Sequence, residues 1–307
     1  MRKFTETFFC ILAIILIISF PSLITQSVKE GIVLCIYTVI PALLPFMLIV
    51  NFMQKHNLCS YLSFIIKPLL SIPFKISDNG CFAVIAGFSC GYPIGAKTIS
   101  DLYTQKKITL SEACYLITFC NNCSLSFLIN YIYLNFAKNT LTSFISFNKM
   151  TILIIFLIYF PAVITGIINR FIIKPDIYVQ KTDYLPYNGN PILSSIKSLS
   201  VLSVYIICFT LFSRLISALD IDSTLKAIIC GLSEITSGTV IIASTIRNNI
   251  FCTYLILLFT VFGGFSITLQ SLSQINNKTL KKYYITGKLE SMIIFSLLFV
   301  MTYIIFK

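Results

Sequence analysis

Apolar runs long enough to cross a bilayer recur along the whole chain, at about 8–25, 31–53, 112–134, 150–170, 197–218, 224–246, 250–272 and 285–306. A hydrocarbon core about 30 Å thick needs roughly 20 helical residues. The runs therefore predict an all-α polytopic membrane protein of about 7–9 membrane helices. Composition points the same way: 57% of the 307 residues are hydrophobic and 11% charged, against about 25% charged in soluble domains. Arg2 and Lys3 precede the first run as they would in a secretory leader, but Pro21-Ser22-Leu23 leads on without a small-x-small cleavage site, so a retained helix is expected.

One segment fits an ordinary membrane helix badly. Residues 87–97, Gly-Phe-Ser-Cys-Gly-Tyr-Pro-Ile-Gly-Ala-Lys, place glycines at 87, 91 and 95 beside Pro93 and Lys97 inside the apolar stretch 81–100. An unsatisfied backbone group in hydrocarbon costs several kcal/mol, so a break there must face protein or a water-filled cavity. Transporters hold cargo at such breaks. The G-x-x-x-G spacings also permit close helix packing.

The loop 171–196 carries Lys174, Asp176, Lys181, Asp183 and Asn188-Gly189-Asn190, which is turn chemistry, and it divides the chain into halves of about 31–134 and 224–307. Each half has a Gly-Phe-Ser, at 87–89 and 264–266, followed by a basic loop and a further apolar run. A single transmembrane domain of two related halves is expected, with 81–100 and 250–272 broken or re-entrant near mid-depth. Counting lysines and arginines favours re-entrance, whereas symmetry between the halves favours full spanning. The net charge of +12 is scattered over short loops, which reads as positive-inside anchoring or as vestibules for an anionic solute and gives nucleic-acid binding no support. Most of the 11 cysteines lie within apolar runs, so no disulfide framework is expected.

Polar residues at membrane depth supply the candidate site. Thr109-Leu110-Ser111-Glu112 has capping-box form. A helix starting there would carry Asn121 and Asn122 about 15 Å along, near mid-bilayer, with Ser124 beside them. Glu234, followed by Thr236, Ser237 and Gly238, is placed alike behind a cap at Asp222 or Ser223. An ionisable group at that depth is a functional candidate, binding a coupling cation or proton or pairing with Lys97, although a structural Glu–Lys pair and interhelical amide bonds are the plainer accounts. Gly264, Ser266 and Gln270 complete the set with Gly91, Tyr92, Pro93 and Gly95.

Two enzyme-like matches are weak. Gly87 to Gly91 fits G-x-S-x-G without the strand that a nucleophile elbow requires, and His56 lies in a polar loop. Cys120 and Cys123 form a C-x-x-C with no second ligand pair. Neither an enzyme, a metal site nor a cofactor is expected.

Gly91-Tyr92-Pro93-Ile94-Gly95-Ala96-Lys97, Ser111-Glu112-Ala113 and Phe119-Cys120-Asn121-Asn122 resemble motifs of the YlbJ family of sporulation integral membrane proteins, in the Gate or nucleoside-recognition group. Pro41 to Phe46, Glu234 to Gly238 and Phe262 to Gln270 agree, and Cys123-Ser124-Leu125 departs where a proline is expected. The resemblance implies movement of dipicolinate across the mother-cell-derived outer forespore membrane of an endospore former, and kinship to concentrative nucleoside transporters and, more distantly, to the membrane part of ferrous-iron transporters. Glycine-exposed backbone and half-helix N-termini suit a small anionic or heteroaromatic solute, with Lys97 as countercharge. A nucleoside or cation carrier and a non-transporting spore-envelope protein are the alternatives.

Overall fold

The computed structural model describes residues 17–128, 147–178, 184–187 and 189–305, with a few positions before residue 17. Every element among them is helical. Helix α1 (Pro21–Leu34) passes through a π turn at Cys35–Val39 into α2 (Ile40–Lys55). Pro41 and Pro45 lack an N–H, so the carbonyls four residues earlier lose their partners and the ladder slips to the wider register. The 12-residue α3 (Cys59–Leu70) reaches only about 18 Å. It packs beside the next helix, where the Ser63 hydroxyl donates to the Asp78 carbonyl.

Helices α4 (Asp78–Cys90) and α5 (Ile94–Thr104) form a re-entrant hairpin. Gly87 and Gly95 would stand about 12 Å apart in a straight helix. Instead a Cβ on Gly95 would lie 2.9 Å from the Gly87 Cα, so the chain reverses between them. The reversal is made at Gly91, whose φ of 80° suits glycine, and at Tyr92-Pro93, joined by a cis peptide. Thr109 caps α6 (Leu110–Ile117) by accepting from the Glu112 N–H, as the capping box predicts. The expected continuous helix over 112–134 is not formed. It stops at Ile117, turns through Cys120, runs extended over Asn121–Ser124 and restarts as α7 (Leu125–Phe127), while 129–134 lie outside the described residues. Helix α8 (Phe147–Ile173) follows.

The same order then recurs. After α9 (Pro191–Ala218), α10 (Ser223–Ser233) and α11 (Ile235–Thr245) form a second hairpin, with Gly231 and Gly238 in backbone contact. The run 224–246, expected to cross, thus turns back at Glu234. An interrupted helix follows, α12 (Asn249–Phe262) and α13 (Gly264–Gln274), broken at Gly263 with φ 89°, and then α14 (Lys278–Ile305). The break in 250–272 is where the sequence put it, but the segment is long and apolar enough to cross, at 25 residues, and its two pieces do not fold onto each other as hairpin arms do. The two Gly-Phe-Ser tripeptides therefore mark different things. The first lies in a hairpin arm and the second opens the later piece of an interrupted helix.

Among the described residues five segments are long and apolar enough to span. The all-α polytopic class stands; of the other runs expected to cross, 224–246 is a hairpin, 112–134 is interrupted and partly outside the described residues, and 8–25 lies largely outside them. Helix α9, 28 residues or about 42 Å long, separates the two hairpin bases. Its start lies by hairpin 1, where the Asn51 amide donates to Ser195 Oγ and the Leu185 N–H to the Gln105 carbonyl. Its end lies by hairpin 2, where Lys226 Nζ donates to the Ser217 carbonyl. The hairpins enter from opposite faces.

Candidate functional site

Both hairpin tips, the π turn and both interrupted helices converge on one cavity of about 420 Å³. Its wall is largely apolar, from Leu43, Phe127, Ile206 and Ile267, with polar groups from Thr38, Tyr92, Ser124, Glu234, Thr236 and Gln270. Of the sequence candidates, Tyr92, Ser124, Glu234, Thr236 and Gln270 line it. The others hold these in place or lie elsewhere.

Glu234 is the turn of hairpin 2 and is 3% exposed. Its carboxylate caps α11: Oε1 accepts from the Thr236 N–H at 2.9 Å, and Oε2 accepts from the Ser237 N–H at 2.7 Å and from the Thr236 and Ser237 hydroxyls. The half-helix N-terminus expected to face an anion is thus occupied by the protein's own carboxylate. At Gly263, by contrast, α13 starts with no side-chain cap. Ser266 sits behind Gln270 and accepts from its amide at 3.0 Å, and Gly264 fits against the Ser233 and Leu232 carbonyls.

Asn121 and Asn122 lie in the break, not on a helix face. Asn121 Oδ1 accepts from the Ala96 N–H at 3.1 Å, and its amide donates to Ser271 Oγ at 2.9 Å, tying hairpin 1 to α13. The Asn122 amide donates to the Phe119 carbonyl, and its own carbonyl accepts from the Tyr92 N–H at 2.6 Å. A Cβ at Gly91 would strike Ser124, and one at Gly95 the Cys120 carbonyl, so these glycines let the extended segment cross the tip. Pro93 completes the turn ahead of α5.

Lys97 does not line the cavity. Its ammonium donates to Asp101 Oδ2 at 2.7 Å and to Asn51 Oδ1 at 3.0 Å, so neither the pairing with Glu234 nor the countercharge role fits its position. A second buried lysine is nearer. Lys288, within an apolar run of α14, is 5% exposed, donates to the Val261 carbonyl at 3.1 Å and lies 5.6 Å from the Tyr92 ring centroid. An ionisable residue inside the run 285–306 was the available signal. Thr38 was also missed. Its signal was the Pro41 and Pro45 pair, which opens the π turn.

Fold and cavity define a polytopic helical membrane protein whose hairpins and broken helices meet around a solute-sized cavity, the geometry of secondary transporters. Residues 36–169, from the π turn to α8, match the family model described as "Gate: Nucleoside recognition". The chain is similar to the "Sporulation integral membrane protein YlbJ" of Bacillus subtilis (strain 168), at 21% identity over 297 residues, covering 83% of this chain and 71% of that protein. The resemblance drawn from the motifs is borne out. No solved structure matches the chain.

Proposed function

We propose that this protein is a carrier, not an enzyme, that moves a small anionic aromatic solute across a membrane, with dipicolinate at the outer forespore membrane during sporulation as the cargo and site. The observation that carries the reading is the convergence of both hairpin tips and both helix breaks on one cavity. Entering from opposite faces and meeting there, the hairpins can open it to one side at a time. Tyr92 and Phe127 offer ring faces to a planar heteroaromatic, and Ser124, Thr236 and Gln270 offer hydrogen bonds to its edge. The name of the Bacillus subtilis relative supports the sporulation setting.

A second reading has its own observation. The cavity wall holds the Glu234 carboxylate and, among the described residues, no lysine or arginine. A carboxylate accepts from sugar hydroxyls, so a nucleoside fits that wall as well, in keeping with the family model's description. Uptake of labelled dipicolinate, nucleosides and ferrous ion into vesicles holding the purified chain separates them. Dipicolinate flux is expected. Flux of nucleosides alone would overturn the cargo, and no flux of any solute would return the chain to a structural role in the spore envelope.

A further inference from the structure

Lys288 is a buried amine with too few partners. Its ammonium has three N–H donors. Among the described residues it makes one hydrogen bond, to the Val261 carbonyl left open where α12 breaks at Gly263, and otherwise faces the Tyr92 ring. Glu290, on the same helix, is engaged by the Asn169 amide. Tyr92 is under-partnered too. Its hydroxyl is buried without a hydrogen bond of ordinary geometry, with the Cys123 thiol beside it. The ring touches the Gly263 break, Lys288 and the cavity at once.

We infer that Lys288 is the countercharge for a carboxylate in the cavity, screened in this conformation by the Tyr92 ring. The inference rests on the anionic cargo proposed above. Glu234 places negative charge in the same wall, so a carboxylate entering there needs a cation, and Lys97 is committed to Asp101 and Asn51. Turning the Tyr92 side chain about its Cα–Cβ bond moves the ring off the ammonium, which exchanges the ring face for a carboxylate oxygen. The freed hydroxyl donates to the same group. Both unsatisfied groups thereby gain partners in one step. A neutral ligand of the same shape offers a carbonyl to the same donors without the charge, and so gains less from it.

Binding to the full chain in detergent tests this with two probes, labelled dipicolinate and its neutral diamide analogue. Lys288→Met is expected to weaken dipicolinate by roughly tenfold or more, since a desolvated charge-assisted bond is worth about 1.5–3 kcal/mol, and to weaken the diamide by a clearly smaller factor. Lys288→Arg should restore most of the dipicolinate affinity, and Lys97→Met should show no such preference between the probes. Equal loss of both probes in Lys288→Met, or loss of neither, overturns the inference while leaving the cargo in place. A wild-type chain that binds the diamide and no dicarboxylate overturns cargo and inference together.

Discussion

Lys97 and Glu234 look alike in the sequence, as single charges in apolar surroundings, and the structure assigns them opposite tasks. Lys97 completes a joint in which α5, α2 and α9 are linked through Asp101, Asn51 and Ser195. Removing it leaves Asp101 without its cation. Lys97→Met is expected to lose about 1–3 kcal/mol of stability, less than a fully buried pair because Asp101 is partly exposed. Adding Asp101→Asn should recover most of that loss in thermal unfolding of the detergent-solubilised protein. Failure of the second substitution to help would show that the pair is not the joint. Glu234→Gln has a sign that separates the two cargoes. It weakens the α11 cap by about 1 kcal/mol and also removes negative charge from the cavity wall. An anionic cargo should then bind more tightly, whereas a nucleoside that donates to the carboxylate should bind more weakly.

The elements were legible where glycine or proline breaks the helix and hidden where side-chain caps do so. Gly91, Pro93 and Gly263 could be read directly, and both breaks lie where they were expected. The turn at Ser233-Glu234-Ile235 contains neither residue type. Its helix ends through the Glu234 carboxylate, so apolar continuity concealed a hairpin. In the same way Asn122 and Ser124 end α6 and begin α7, in a stretch with nothing to set it apart from a polar helix face. Lys288 was hidden by the apolar residues around it. The glycine pairs that close the arms give the element-level prediction. Gly95→Ala and Gly238→Ala each push a methyl group into facing backbone and should lower membrane abundance sharply. Gly31→Ala meets Ile207 at 3.0 Å, a tight contact without the overlap of the other two, and serves as the milder control. Substrate protection of single cysteines should be seen at positions 92 and 236, which line the cavity, and not at 265, which does not.

At the scale of the molecule, charge asymmetry orients the chain. The face holding the base of hairpin 1 carries Lys55, Lys75, Lys106, Lys107, Lys174 and Lys278. The face at the base of hairpin 2 carries Lys29, Arg214, Lys226 and Arg247 together with Glu30, Asp220 and Asp222, fewer basic residues than the first. By the positive-inside rule the first face is cytoplasmic. An impermeant thiol reagent applied outside intact cells, in a cysteine-free background, should modify a cysteine at 221 and spare one at 276. The reverse pattern would invert the topology and, with it, the direction assigned to each hairpin.

The two tips are not equally free to leave the cavity. Tyr92 and Ala96 of hairpin 1 are bonded by their backbone N–H groups to Asn122 and Asn121, outside the hairpin. The first N–H groups of α11 in hairpin 2 are bonded to Glu234, within it. Withdrawing hairpin 1 would strand amide groups at membrane depth, but hairpin 2 takes its hydrogen bonds with it. Opening at hairpin 1 would therefore have to carry the Asn121–Ser124 segment with it, whereas hairpin 2 is restrained less, an inequality built into a pair that otherwise repeats. Backbone hydrogen exchange should reflect it, with faster opening across 233–238 than across 91–96.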